Sequence, residues 1–287
     1  MLASARAHQG IPHAATAPKR HDARNCADVA TPADMTHLRP ASAEIDLSVV
    51  TTRAGLQALE TEWNTLFREC ARDIHVFQSF NWIWHWANHF LRQEGDLHSS
   101  SGLYIVTGRR GGRLVLICPL VRNRRWGITS LSFAGEPVSQ YGDVLLDEQR
   151  GGQELLAQAW SFIAHNSGAD VLMLRKVRAD SNLASFLAHS QAMVTEREIA
   201  PFLDLASAPD PVSYEQRYSS KARKNRRRLL RRLEERGPAS VNVLTGGQDG
   251  ADMAALAVSL KRAWLKHRGL ISPALAKPAT RAFFAAV

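Results

Sequence analysis

QELLAQAWSFIAHNSGADVLMLRKV (Gln153–Val177) is the stretch that decides the fold class. Gln153 to Asn166 reads as a helix, Gly168 marks its end, and VLMLRKV follows as a strand. A strand also precedes it, ITSLSF at Ile128–Phe133. Strand, helix and strand in succession predict a right-handed crossover with parallel pairing. Just upstream, Leu103 to Arg122 predicts the opposite arrangement. LYIVTG, a tight turn at RRGGR and LVLICPL make an antiparallel hairpin. Parallel and antiparallel pairing together give an α/β (α+β) chain with a mixed sheet flanked by helices. RRGGR is not a phosphate loop, because it joins two strands and aims no helix N-terminus at an anion.

Working outward towards the N-terminus, the loop AGEPVSQYGD (Ala134–Asp143) leads from ITSLSF to the short apolar run VLL. Tyr141 and Asp143 in it are candidates for polar groups at a cleft entrance, or they are turn residues with a hydrogen-bonding Asp. VFQSFNWIWHWANHF forms a helix capped by Ser79 or Asn81, with Trp82, Trp86 and Phe90 four residues apart. That aromatic face is expected to fill core space between sheet and helices; the alternative is a platform lining a substrate groove. His85 and His89 have metal-ligand spacing, but there is no HExxH pattern and no third ligand, so no metal is expected. A helix over Ala54–Arg68 and a strand IDLSVV after Glu44 begin the ordered chain. Residues 1–40, rich in Ala, Pro, His and Arg without apolar periodicity, are expected to be a disordered basic tail, with Met35 an alternative start.

Working towards the C-terminus, Ser181 caps a short helix to His189, and MVTEREI and PFLDL are strand candidates. A Pro-punctuated link, APDP, precedes a short helix around Tyr214 and Tyr218, then the most charged segment of the chain. VNVL is read as a strand, Asp249–His267 as a helix, and a last helical piece starts near Pro278.

The charged segment is KARKNRRRLLRRLEER, Lys221–Arg236. It holds nine basic and two acidic residues, so it carries most of the chain's net charge of +9. Ser219 or Ser220 caps its start, and Gly237 with Pro238 ends it. At about 100° per residue, Ala222, Leu229, Leu230 and Leu233 form an apolar stripe expected to dock, while Lys224, Arg227, Arg228 and Arg231 face away. Arg226 falls inside the apolar stripe, so it must snorkel, find a carboxylate or reach a bound phosphate.

The 287 residues, 45% of them hydrophobic, can bury a large core. No run approaches 18 apolar residues, so no membrane-spanning helix is expected. Cys26, Cys70 and Cys118 are few, odd in number and far apart, fitting neither a disulfide framework nor a zinc site. A reducing cytoplasm is the expected compartment.

In combination, several of these motifs resemble the CelD-like acetyltransferases, a branch of the GNAT superfamily associated with polysaccharide biosynthesis and related to the Fem aminoacyl transferases. The residues carrying the resemblance are FQSFNWIWHW (Phe77–Trp86), CPL (Cys118–Leu120), SFAGEPVSQYGD (Ser132–Asp143), SSKARKNRRRLLRRLEERG (Ser219–Gly237) and LKRAWLKHRG. They run in order from about Glu44 to the C-terminus. Lys221, Arg223, Asn225 and Arg227 match the Lys, Arg, Asn and Arg of the Fem pattern, whereas Arg226 stands where that pattern has an apolar residue.

The resemblance implies two GNAT-like halves: residues 44–210 as the first and 211–287 as the start of a second. It also implies transfer of an acyl group from acetyl-CoA or another acyl-CoA to an amine acceptor. Basic residues of the charged helix, Lys221, Arg223, Lys224, Arg227, Arg228 and Arg231, would hold phosphate-bearing substrates. The strands and pyrophosphate loop expected to follow are not evident before Val287, so this chain is expected to turn over weakly or not at all. No catalytic base is assigned. Two other functions compete. One is a nucleic-acid-binding module using the Arg-rich helix, which lacks aromatic interleaving and a recognised DNA-binding motif. The other is a non-catalytic GNAT-like scaffold with a solvated basic face.

Overall fold

The computed structural model describes residues 45–92, 101–201 and 208–287, so the predicted tail lies outside the described residues. At its centre stand β2 (Ser101–Arg110) and β3 (Arg113–Arg125), antiparallel from Ser101 opposite Asn123 to Arg110 opposite Arg113. Gly111 and Gly112, with φ of +57° and +78°, supply the two left-handed residues that a two-residue turn needs to match strand twist. β1 (Ile45–Val50) pairs antiparallel with β2, and β4 (Ile128–Phe133) antiparallel with β3. β6 (Val171–Met173) pairs parallel with β4, completing the order β1-β2-β3-β4-β6, and β5 (Leu145–Leu146) pairs with β3 beside it. The crossover from β4 to β6 contains α4 (Gly152–Asn166). The mixed sheet with flanking helices is therefore as the sequence predicts.

Both faces of the sheet are covered, which explains why LYIVTG and LVLICPL are nearly continuous apolar runs rather than alternating ones. On one face lie α1 (Arg53–Ala58), α2 (Glu60–Cys70) and α3 (Phe80–Phe90), burying Leu56, Trp63, Ile83 and Trp86 against Leu103, Ile105 and Ile117. The predicted first helix is thus two short ones that meet at Leu59. On the other face lie α4 and α5 (Asn182–His189), where Leu155 and Ile163 pack with Val106, Leu116, Cys118 and Leu131.

The aromatic helix α3 is core. Ser79 caps it, accepting from the backbone N–H of Trp82 at 3.3 Å. The indoles of Trp82 and Trp86 are buried and both find an acceptor in the loop after β4. Trp82 Nε1 donates to Ser139 Oγ at 2.9 Å and Trp86 Nε1 to the Glu136 carbonyl at 2.8 Å. The cover comes from the far end of the chain, α10 (Ala279–Ala286). Its Phe283 is 0% exposed and meets Trp82 edge-on at 4.9 Å and Phe90 at 5.6 Å. Between α5 and α10 come α6 (Pro211–Gln216), α7 (Ser220–Glu234), α8 (Gly247–His267) and the single turn α9 (Pro273–Ala276).

Three strand expectations are corrected. MVTEREI is irregular and solvated, with Met193 and Ile199 84% and 94% exposed, and pairs with no strand among the described residues. VNVL is likewise unpaired, with Val241 95% exposed. A strand exists only where a partner accepts its backbone hydrogen bonds, which β-propensity alone does not supply. VLMLRKV is a strand only over Val171–Met173, because Lys176 turns left-handed at φ +59° and its carbonyl accepts from the Gly142 N–H at 3.2 Å. Apart from Pro201, the PFLDL segment lies outside the described residues.

Candidate anion-binding site

The predicted basic helix is α7, capped by Ser219, whose Oγ accepts from the Ala222 N–H at 3.2 Å. It leans on α6, itself started by Asp210, which accepts from the N–H groups of Val212 and Ser213 at 2.8 Å each, with Pro211 at the first position. Arg223 reaches back to the end of α6 and donates to the Tyr218 carbonyl at 2.9 Å and the Glu215 carbonyl at 3.5 Å. The guanidinium thereby covers carbonyls that the helix terminus leaves unpaired. Arg226, the cation inside the apolar stripe, finds a carboxylate. It pairs with Glu215 at 2.8 Å and lies over the Tyr218 ring at 3.8 Å, while the Tyr218 and Tyr214 hydroxyls hydrogen-bond at 2.9 Å.

These contacts sort the six candidate cations. Arg223 serves the α6–α7 junction, and Arg228 donates to Asn225 Oδ1 at 2.9 Å. Lys221 is exposed. Lys224, Arg227 and Arg231 come together with Ser220 and Leu230 along a groove of about 700 Å³. None of the three has a carboxylate partner among the described residues. Three unneutralised cations and a hydroxyl on one helix face match the chemistry of a phosphate.

The expected docking of the leucine stripe is corrected. α7 has no buried residue, and Leu229, Leu230 and Leu233 are 50%, 50% and 56% exposed. Only the first turns of the helix are covered, where Ala222, Arg223 and Arg226 meet α6 and Tyr218. α6 is six residues long, too short to reach the leucines.

Tyr141 and Asp143 stand elsewhere, at the loop that α3 pins. Asp143 is 2% exposed and saturated with donors. Its two oxygens accept from the backbone N–H groups of Val144 (2.9 Å), Asn182 (2.8 Å) and Leu183 (3.2 Å), and from His75 Nε2 at 2.9 Å. Because His75 Nδ1 accepts from the Arg72 N–H at 3.0 Å, the imidazole proton sits on Nε2 and points at the carboxylate. Asp143 therefore occupies the anion position at the N-terminus of α5 and leaves no room there for a substrate phosphate. Tyr141 is half-buried between Phe77, edge-on at 5.9 Å, and the Arg178 guanidinium at 4.8 Å. Neither joins the α7 groove.

Buried in the same region, the Cys118 thiol is pushed far above its ordinary range, by burial first and by Asp143 second. It is no nucleophile. His85 and His89 stack at 6.4 Å, and burial pushes the His85 imidazole below its ordinary value. Among the described residues no group of three or more His, Cys, Asp or Glu side chains is arranged to hold a metal ion. Sequence reasoning missed His75, Glu215, and Tyr218 as the platform under Arg226. The four-residue spacing of Tyr214 and Tyr218 was a signal for one shared face, but nothing local tied Glu215 to Arg226.

No protein-family model matches the chain, and no curated protein matches it. Among solved structures the chain is similar to an aminoglycoside acetyltransferase from an uncultured soil metagenomic sample, in complex with sisomicin. The identity is 12%, covering 56% of this chain and 96% of that one, with a TM-score of 0.34. It is similar also to a ribosomal-protein-alanine N-acetyltransferase from Brucella melitensis biovar Abortus 2308, at 10% identity over 56% of this chain and 100% of that one, with a TM-score of 0.33. An integron cassette protein from the mobile metagenome of V. cholerae matches at 10% identity over 57% of this chain and 94% of that one, with a TM-score of 0.35.

Proposed function

We propose that this chain serves an acyl-CoA-dependent N-acyltransferase of the CelD-like type, acting in a reducing cytoplasm on an amine of a polysaccharide-related acceptor. The observation that carries the site assignment is the groove on α7, which Lys224, Arg227 and Arg231 line with Ser220 and where no carboxylate among the described residues neutralises them. The acyl-transfer chemistry itself rests on the resemblance of the ordered motifs from Phe77 to Gly269. The donor set fits the phosphates of coenzyme A or of a phosphate-bearing acceptor: guanidinium forks for paired oxygens, an ammonium and a hydroxyl for the rest. When bound, an acyl-CoA supplies an activated acyl group on a thiolate leaving group. The chain's own contribution is to hold the anionic end. Arg223 and Arg226, locked onto α6, keep α7 from turning, so the three free cations stay on one face.

Calorimetric titration of the chain with acetyl-CoA, and thiol release in the presence of an amine pool, test this function. Binding is expected, and Lys224→Gln/Arg227→Gln/Arg231→Gln should weaken it about a hundredfold or more, since each charge-assisted contact contributes about 1.5–3 kcal/mol. Circular dichroism of that variant should match the parent, because all three side chains are exposed. An absence of both acyl-CoA binding and thiol release sinks the proposal. Retention of an oligonucleotide at near-physiological salt, together with that absence, would favour the nucleic-acid alternative.

A further inference from the structure

The basic groove leaves the leucines of α7 unexplained. The helix is 15 residues long, about 22 Å, and its first half is tied to α6 and Tyr218 through Arg223 and Arg226. Its second half presents two faces to solvent. Leu229, Leu230 and Leu233 fall within an arc of ~100° and are each half-exposed. Arg227 and Arg231 lie across the axis from Leu229 and Leu233, and Arg232 and Arg236 flank the apolar edge. Immediately after the helix, Val241 and Val243 are 95% and 86% exposed. Exposed apolar groups grouped in this way mark an interaction surface, whereas scattered ones do not.

From this placement we propose that the C-terminal half of α7 is a membrane-surface element that lies in the interface of an anionic bilayer, with the leucines entering the acyl boundary and the flanking arginines meeting lipid phosphates. Charge complementarity selects the occupant. A helix with leucines on one side and cations on the other is the pattern of an interfacial helix. The second half, Arg227–Arg236, holds five arginines against Glu234 and Glu235, and each basic residue near the surface draws it to an anionic leaflet. A nucleic acid would satisfy the cations, but it offers nothing to the leucines, so it accounts for half of the surface. No helix among the described residues is long and apolar enough to cross a membrane, so the contact is peripheral. The inference stands apart from acyl transfer, since it rests on the leucine face.

The test is co-sedimentation of the full chain with vesicles of phosphatidylcholine alone and of phosphatidylcholine with phosphatidylglycerol, at low and near-physiological salt. The chain should be retained on the anionic vesicles only, with affinity falling as salt rises. Leu229→Ser/Leu233→Ser should lower that affinity about tenfold or more. The same variant should keep its parent affinity for acetyl-CoA and for a single-stranded oligonucleotide, which separates this inference from both functional alternatives. Parent-like vesicle binding by the leucine variant would overturn the proposal, as would absence of the parent from anionic vesicles.

Discussion

At the scale of single residues, the most consequential polar group is Asp143. Its four donors come from Val144, Asn182, Leu183 and His75, the last 68 residues earlier in the chain and Asn182 39 residues later. Asp143→Ala would leave these donors buried and unpaired, and a loss of about 3–5 kcal/mol is expected in urea unfolding. Asp143→Asn should recover little of it, because an amide turns one accepting position into a donor that faces an N–H. Cys118 gives a second check. With its thiol buried and held protonated, iodoacetamide at neutral pH should spare it in the folded chain while half-exposed Cys70 reacts, and reach Cys118 only on unfolding. The sequence identified Asp143 as a hydrogen-bonding residue or a cleft residue, and its type and place in a polar loop were the whole basis. Its partners could not be read there, since no spacing rule links residues so distant.

Secondary-structure elements show the same division more sharply. The caps were legible: Ser79, Ser181 and Ser219 each accept from the N–H three residues on, as their positions before helical runs suggested. The hairpin turn was legible for an equally local reason. Cover was not. The aromatic spacing predicts that α3 is core, yet the sequence marks the helix that covers it, α10, only as a terminal helical piece. Phe283→Ala should therefore cost about 3–5 kcal/mol, with a change in tryptophan fluorescence because its ring abuts Trp82. An unchanged unfolding midpoint would show that α10 does not dock there. For α7 the converse holds: its apolar stripe predicts docking, yet the leucines face solvent. An apolar stripe states a need for cover but does not say what lies within reach.

For the whole molecule, charge decides the response to acid. Glu62 is held below its ordinary carboxylate range by the hydrogen bond from Arg109, and Asp180 by that from Arg178. The unfolded chain, whose carboxylates are ordinary, takes up protons first as pH falls. Stability contributed by these groups is thus full above the ordinary carboxylate range and is lost on descending through it towards the depressed folded values. Urea midpoints should drop over that window, and Glu62→Gln should make the drop shallower. An identical pH slope in Glu62→Gln would refute the assignment. A net charge of +9 that grows as carboxylates protonate acts in the same direction. Sequence by itself determined the mixed sheet, its central hairpin turn, the serine caps of three helices and the concentration of cations in one helix. These follow from periodicity and composition within a few turns of chain. Tertiary structure alone decided that Asp143 is sealed beneath α5, that Arg226 is neutralised by Glu215, that α10 closes the aromatic core, and that the α7 leucines stay open. Burial and pairing depend on which distant groups arrive in space, and among the described residues MVTEREI and VNVL have no strand partner.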